Sequence, residues 1–233
     1  MDKVINRIGY GFIALLLLTF FGFYLTYFGK FPEFENITLP MHFHAIVFLA
    51  WYALLIVQPF LIRYKKTALH RTLGKLSYPL MPIVLLSIYL ATKGQFQRGE
   101  LQQMPLNENR AQTFMPMSLM FLFGFFYLLA MLNSSKMATH MRYIIASSLV
   151  LLGPIFGRVL IIWLGVNPHD GIWYGGLLSA DIALATMFVI DMVNRKSNFS
   201  YGIALALSLT LHIAWYLNFQ ATEAWQVVAR AIF

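Results

Sequence analysis

Charge all but disappears from this chain seven times, for about twenty residues at a stretch. The apolar runs fall near 8–29, 42–63, 72–92, 114–132, 143–165, 172–193 and 201–221. A helix rises about 1.5 Å per residue, so each run has the length needed to cross a hydrocarbon layer of about 30 Å. In lipid every backbone N–H and C=O must find its partner within the segment, which leaves the helix as the structure for such runs. The expected fold is therefore all-α: a polytopic seven-transmembrane-helix bundle forming one integral-membrane domain over 1–233. The first run is too long for the core of a signal peptide, and no small-residue cleavage site follows it, so it reads as a retained span. The first partner implied is the lipid bilayer.

Composition supports this and narrows the chemistry. The chain is 59% hydrophobic and 11% charged, where a soluble domain carries about 25% charged residues. It has no cysteine, so no disulfide, thiolate-held cluster or cysteine zinc site can form from it. The net charge of +8 reads as basic cytoplasmic loops, with no nucleic-acid partner. Eleven basic residues (Lys3, Arg7, Arg63, Lys65, Lys66, Arg71, Lys75, Lys136, Arg142, Arg195 and Lys196) fall on one set of loops, and five (Lys30, Lys93, Arg98, Arg110 and Arg230) on the other. The remaining one, Arg158, lies inside a span. The amino terminus is expected in the cytoplasm and the carboxyl terminus outside, in a cell's inner (cytoplasmic) membrane. The longest connection, near 93–113, is polar and expected outside. The last dozen residues read as a short interfacial helix with Trp225 at headgroup level.

Ionisable groups inside a span are costly and mark a buried site by default. Counting helix rise from the inner boundary places His44 at about 24 Å, Arg158 at about 22 Å, His212 at about 18 Å and Asp181 at about 16 Å. Four spans thus each contribute one such residue to a layer about 8 Å thick. Asp181 and Arg158 can neutralise each other, and these two are the candidates for catalytic work. His44 and His212, with His42 at the rim, are candidate metal ligands. Two imidazoles and a carboxylate suit a Zn or Fe ion, and two imidazoles alone suit haem b, with Arg158 pairing a propionate.

His42 and His44 point about 200° apart on a helix, so only one faces inward. The deeper His44 is expected to do so, leaving His42 near His169 and Asp170 at the mouth. A second group, His70, Arg71 and Lys75 with His140 and Arg142, lies at the cytoplasmic face. It is either a second cofactor site or a set of headgroup anchors. The layer itself has a plain alternative, an interfacial anchor and a structural ion pair. Pro154, Gly153 and Gly157 suggest a kink and a close helix approach near Arg158. Gln58 is expected to face inward. Met115, Met117 and Met120 are better read as packing than as a Cu(I) site.

Some activities are excluded by missing residues. The seventh span has no lysine for a retinal Schiff base. No G-x-S-x-G, H-E-x-x-H or nucleotide-binding loop is present, nor are there two similar halves of the transporter kind.

His44, Trp51, Gln58 and then Leu69-His70-Arg71-Thr72-Leu73-Gly74 resemble a widespread group of uncharacterised bacterial multi-pass membrane proteins with an H…W…Q…LHR-x-LG pattern. His140, Arg142, Tyr143 and Arg158 match that group's later His-x-Arg-aromatic…Arg segment, although Ala146 stands where the group usually has another arginine. The resemblance covers about residues 40–160 and implies a membrane fold without a settled activity. More distantly, the Leu-His-x-x-Leu-Gly motif resembles the transmembrane di-haem cytochromes b, which implies His44/His212 and His70/His140 as outer and inner haem pairs.

The expected function is a membrane protein holding haem or a metal ion and acting on an electron carrier, a possible haem- or metal-dependent oxidoreductase. Its rivals are a metal-free small-molecule or proton transporter or sensor, with Asp181 and His212 as the titrating pair, and a membrane assembly factor.

Overall fold

The computed structural model describes residues 2–196 and 199–233, and every regular element among them is helical. Among the described residues six helices or helix runs are long and apolar enough to span a membrane: Ile5–Gly22, Leu39–Arg63, Leu106–Leu132, Met137–Trp163, Pro168–Val193 and Phe199–Tyr216. The expected count of seven is reached only if Thr67–Gly74 and Ser77–Leu101, which meet at a 41° bend, are taken as one span. The chain divides into two compact units, 1–91 and 92–233.

The first unit begins with α1 (Asp2–Gly22) and α2 (Leu39–Arg63), which pack on each other. Helix α2 starts where Pro40 occupies its first turn, a position with no N–H to lose. Two details bring α1 and α2 together. Gly9 leaves room for the Phe60 ring, whose Cζ would lie 2.8 Å from an added Cβ. Near the other end, the Thr19 and Tyr52 hydroxyls are hydrogen-bonded at 2.6 Å. A tight turn with Lys65 at φ +57° leads into α3 (Thr67–Gly74). Helix α4 (Ser77–Leu101) then begins in the first unit and ends in the second.

In the second unit, the polar connection near 93–113 proves largely helical rather than a loop. α4 runs on to Leu101, and after a left-handed Gln103 the chain enters α5 (Leu106–Gln112). Buried Asn109 holds the two pieces together: its Nδ2 donates to the Phe96 carbonyl at 2.9 Å, and its amide fills the space beside Gly99 that a Cβ would take. Helix α6 (Phe114–Leu132) packs against α7 (Met137–Leu149), followed by α8 (Leu152–Arg158).

The break between α7 and α8 follows from Pro154, which has no N–H to give to Val150. The Val150 carbonyl instead accepts from Gly153 at 3.3 Å. A π-helical turn, Val159–Trp163, completes this span. The chain reverses through Gly165 at φ +67°, a conformation suited to glycine. Asn167 then caps the short α9 (Pro168–Asp170), accepting from the Asp170 N–H at 2.9 Å.

The π-helical segment Gly171–Leu177 returns close along α8, so close that a Cβ on Gly175 would lie 2.6 Å from the Phe156 carbonyl oxygen. Helices α10 (Leu178–Val193) and α11 (Phe199–Tyr216) pack together, and α12 (Glu223–Ile232) lies against α5. Trp225 turns toward the protein. It is buried in the α5–α12 contact, donating to the Arg110 carbonyl at 3.0 Å and meeting Phe114 edge-on.

Candidate functional site

The most deeply buried acid–base pair joins α10 to α11. On α11 the inward face reads Tyr201, Ala204, Ser208, His212, Trp215, the three- and four-residue spacing of one helix side. Asp181 sits in the first turn of α10, on a face continued by Leu184. Helix packing brings the two polar patches together. Ser208 Oγ donates to Asp181 Oδ1 at 2.6 Å, and His212 Nδ1 meets Asp181 Oδ2. A carboxylate can only accept, so Nδ1 carries the hydrogen. His212 is 2% exposed and Asp181 5%.

This fixes the tautomer of His212 in its unprotonated form. With Nδ1–H held by Asp181, the other nitrogen, Nε2, is left with a lone pair. Nε2 is buried and has no hydrogen-bond partner in the structure. A buried polar atom left unsatisfied costs about 1–3 kcal/mol, and such an atom calls for an explanation. A carboxylate behind the imidazole is the arrangement that orients a histidine toward a metal or makes it a stronger proton acceptor.

A second buried pair lies at the far end of α10. Arg142, in the second turn of α7, donates through Nε to Asp191 Oδ2 at 2.5 Å, and both side chains are about nine-tenths buried. The Tyr201 side chain is buried and feels the charges of both.

The other candidates fall out as follows. Arg158 Nη1 donates to the Pro154 carbonyl of its own helix at 3.2 Å. In the first unit, His44 Nδ1 meets buried Ser87 Oγ at 3.1 Å, tying α2 to α4. His42 Nδ1 meets the Tyr27 hydroxyl at 2.9 Å, and its ring packs edge-on against Phe34 at 4.8 Å. Partial burial raises the Tyr27 phenol pKa above its usual value.

Gln58 does face inward. With its amide oriented by its neighbours, Nε2 donates to the His70 carbonyl at 3.2 Å and to His70 Nδ1, and Oε1 accepts from the Gly74 N–H at 3.1 Å. Gln58 therefore bridges the two ends of the Leu-His-Arg-Thr-Leu-Gly segment and fixes the α2–α3 corner. Arg71 is exposed. His140 Nδ1 meets the Ala130 carbonyl at 2.9 Å, near the end of α6.

Of the predicted layer, the structure joins Asp181 and His212. Two residues that pair with the candidates, Ser208 with Asp181 and Asp191 with Arg142, were readable in the sequence but not singled out. Ser208 lies four residues before His212, on the same helix face. Asp191 is an acid next to the basic Arg195 and Lys196. Among the described residues no group of three or more His, Asp or Glu side chains converges as a metal site would require. No family model matches the chain, and no curated protein or solved structure is similar to it.

Proposed function

We propose that this chain is a multi-pass protein of a bacterial inner membrane whose second unit carries a buried proton- or ligand-accepting site, Asp181–His212, serving a small-molecule or proton transporter or sensor. The observation that carries it is the unbonded Nε2 of His212, set in a buried imidazole whose opposite nitrogen is held by a carboxylate. Such a pair can take up a proton without leaving an uncompensated charge, because the imidazolium forms against Asp181. Ser208 keeps the second carboxylate oxygen satisfied and fixes its orientation. The amino terminus on the cytoplasmic side, as the basic loops imply, belongs to the same reading.

The same nitrogen favours a second reading, a redox protein in which His212 Nε2 ligates haem b or a Zn or Fe ion. A chelated bare ion fits poorly, because three donors do not converge among the described residues. Haem asks for only one protein nitrogen on a given face, and Asp181 would then orient that ligand. His44, Arg158 and the His70, Arg71, His140 and Arg142 group enter this reading only as further ligands or propionate partners.

One preparation separates the two. Protein purified in detergent is examined by visible spectroscopy, metal mass spectrometry and ¹⁵N-histidine NMR over a range of pH. The expected result is a colourless, metal-free protein in which one buried imidazole titrates reversibly, and that signal is lost in His212→Gln and displaced in Asp181→Asn. A Soret band or a stoichiometric metal lost in His212→Gln would transfer the case to the cofactor reading. A metal-free protein with no titrating buried imidazole would remove the proposal.

A further inference from the structure

The second unit holds its two acid–base pairs at different levels of the same helices. Ten residues of α10, or about 15 Å of rise, separate Asp181 from Asp191. On α11 about 16 Å separates His212 from Tyr201. Among the described residues an apolar layer lies between the two levels. Between them Ala146 and Val150 of α7, Leu184 of α10 and Ala204 of α11 form one buried cluster with Leu122 and Phe126 of α6. Four of these six are wholly inaccessible. Ser147 and Ser148 lie at the same level of α7, but both hydroxyls donate to the Ile144 carbonyl of their own helix at 2.8 Å.

The other direction is built differently. One turn beyond His212, Trp215 continues the same face of α11. Trp173 stacks on it at 6.2 Å with the planes 11° apart, and the His169 ring lies 5.0 Å away. Tyr216 packs on Trp173 at 4.9 Å. The His169 side chain is 66% exposed, so this stack reaches from the level above His212 to the surface of the unit. Two of its rings, His169 and Trp173, rest on the three-residue α9 and a π-helical segment. Such short and irregular backbone opens at lower cost than a long packed helix.

We infer that the His212 site exchanges with one side only, the Trp215 end of the unit, through the His169–Trp173–Trp215 stack, while the Leu184–Ala204 layer seals it from the Arg142 end. The inference rests on the proposed role of Asp181–His212 and adds its sidedness. It also sets the class of what enters. Opposite a carboxylate-held Nδ1–H, Nε2 accepts, so the incoming group is a hydrogen-bond donor: a hydrated proton, an alcohol or a protonated amine.

Because the chain has no cysteine, single cysteines can map access in oriented vesicles with a membrane-impermeant methanethiosulfonate. Lys196→Cys and Ala224→Cys, both at exposed positions, mark the Arg142 and Trp215 ends. Ser208→Cys and Trp215→Cys report on the site, each checked for a monodisperse folded peak. Both are expected to react from the Ala224 side and not from the Lys196 side. Adding Trp215→Ala to Ser208→Cys should speed its reaction about tenfold, the equivalent of losing one aromatic pair. Reaction of position 208 from the Lys196 side, or from neither side even without Trp215, would overturn the inference. The histidine titration is measured separately, so the sidedness can fail while the proton site stands.

Discussion

The buried His212 of the second unit is partnered differently from the histidines of the first. In residues 1–91 they meet neutral groups: His42 the Tyr27 hydroxyl, His44 the Ser87 hydroxyl and His70 the Gln58 amide. The Tyr27 hydroxyl can donate or accept and leaves the tautomer of His42 undecided, whereas Ser87 already donates to the Val84 carbonyl and so accepts from His44 Nδ1, and the Gln58 amide donates to His70 Nδ1. These bonds join α1–α2 loop to helix, α2 to α4 and α2 to α3. In residues 92–233, His212 meets a carboxylate, which decides the tautomer and leaves Nε2 as an acceptor. The comparison teaches that a rare polar residue in an apolar chain is not a site by virtue of rarity. The partner it finds determines whether it ties helices together or keeps a nitrogen available.

The sharpest way to test that contrast is to remove charge partners first. Arg142→Ala leaves Asp191 buried without its cation, and breaking such a pair costs about 3–5 kcal/mol. Thermal unfolding in detergent should show the largest loss here, and Arg142→Leu with Asp191→Leu should recover most of it. A single variant as stable as the wild type would show that the pair is hydrated rather than buried.

Gln58→Ala removes three hydrogen bonds at the α2–α3 corner, with an expected loss of about 2 kcal/mol. Proteolysis at the 64–66 turn should rise in parallel. An unchanged cleavage rate would count against Gln58 as the brace.

Ser87→Ala is expected to cost least, about 1 kcal/mol, and to leave the titration of the buried imidazole untouched. If Ser87→Ala shifted that titration as Asp181→Asn does, the division between tying and functional histidines would collapse.

The fold was legible to a large degree because lipid imposes one rule. A long apolar run must satisfy its backbone internally, so helices could be placed from hydropathy alone. The places where that reading fell short are specific. The third span is broken at residues 75–76, between a strongly amphipathic α3 and the apolar first half of α4, so a single hydropathy window blurs the bend. The segment 93–113 looked like a loop because it is polar. Polarity does not prevent a helix, and Asn109 supplies the long-range bond that holds α4 to α5.

The site was half legible. Asp181 and His212 stood out as costly residues in apolar surroundings, and depth counting placed them within a few ångströms of each other. Depth says nothing of rotation about a helix axis. It could not tell that Asp181 meets Ser208 and His212, or that Arg142 meets Asp191 from forty-nine residues away. Nor could it tell that Trp225 is buried against α5, since an amphipathic helix with a tryptophan suits a membrane surface as well as it suits a neighbouring helix.

By itself the sequence determined that this chain is helical, membrane-bound and sparing with charge, since those properties depend on local runs of side chains and on the solvent they require. Tertiary packing alone decided which acid faces which base, and so which nitrogen stays unbonded. A hydrogen bond depends on two side chains meeting within about 3 Å, and no count along a single helix specifies what the next helix presents.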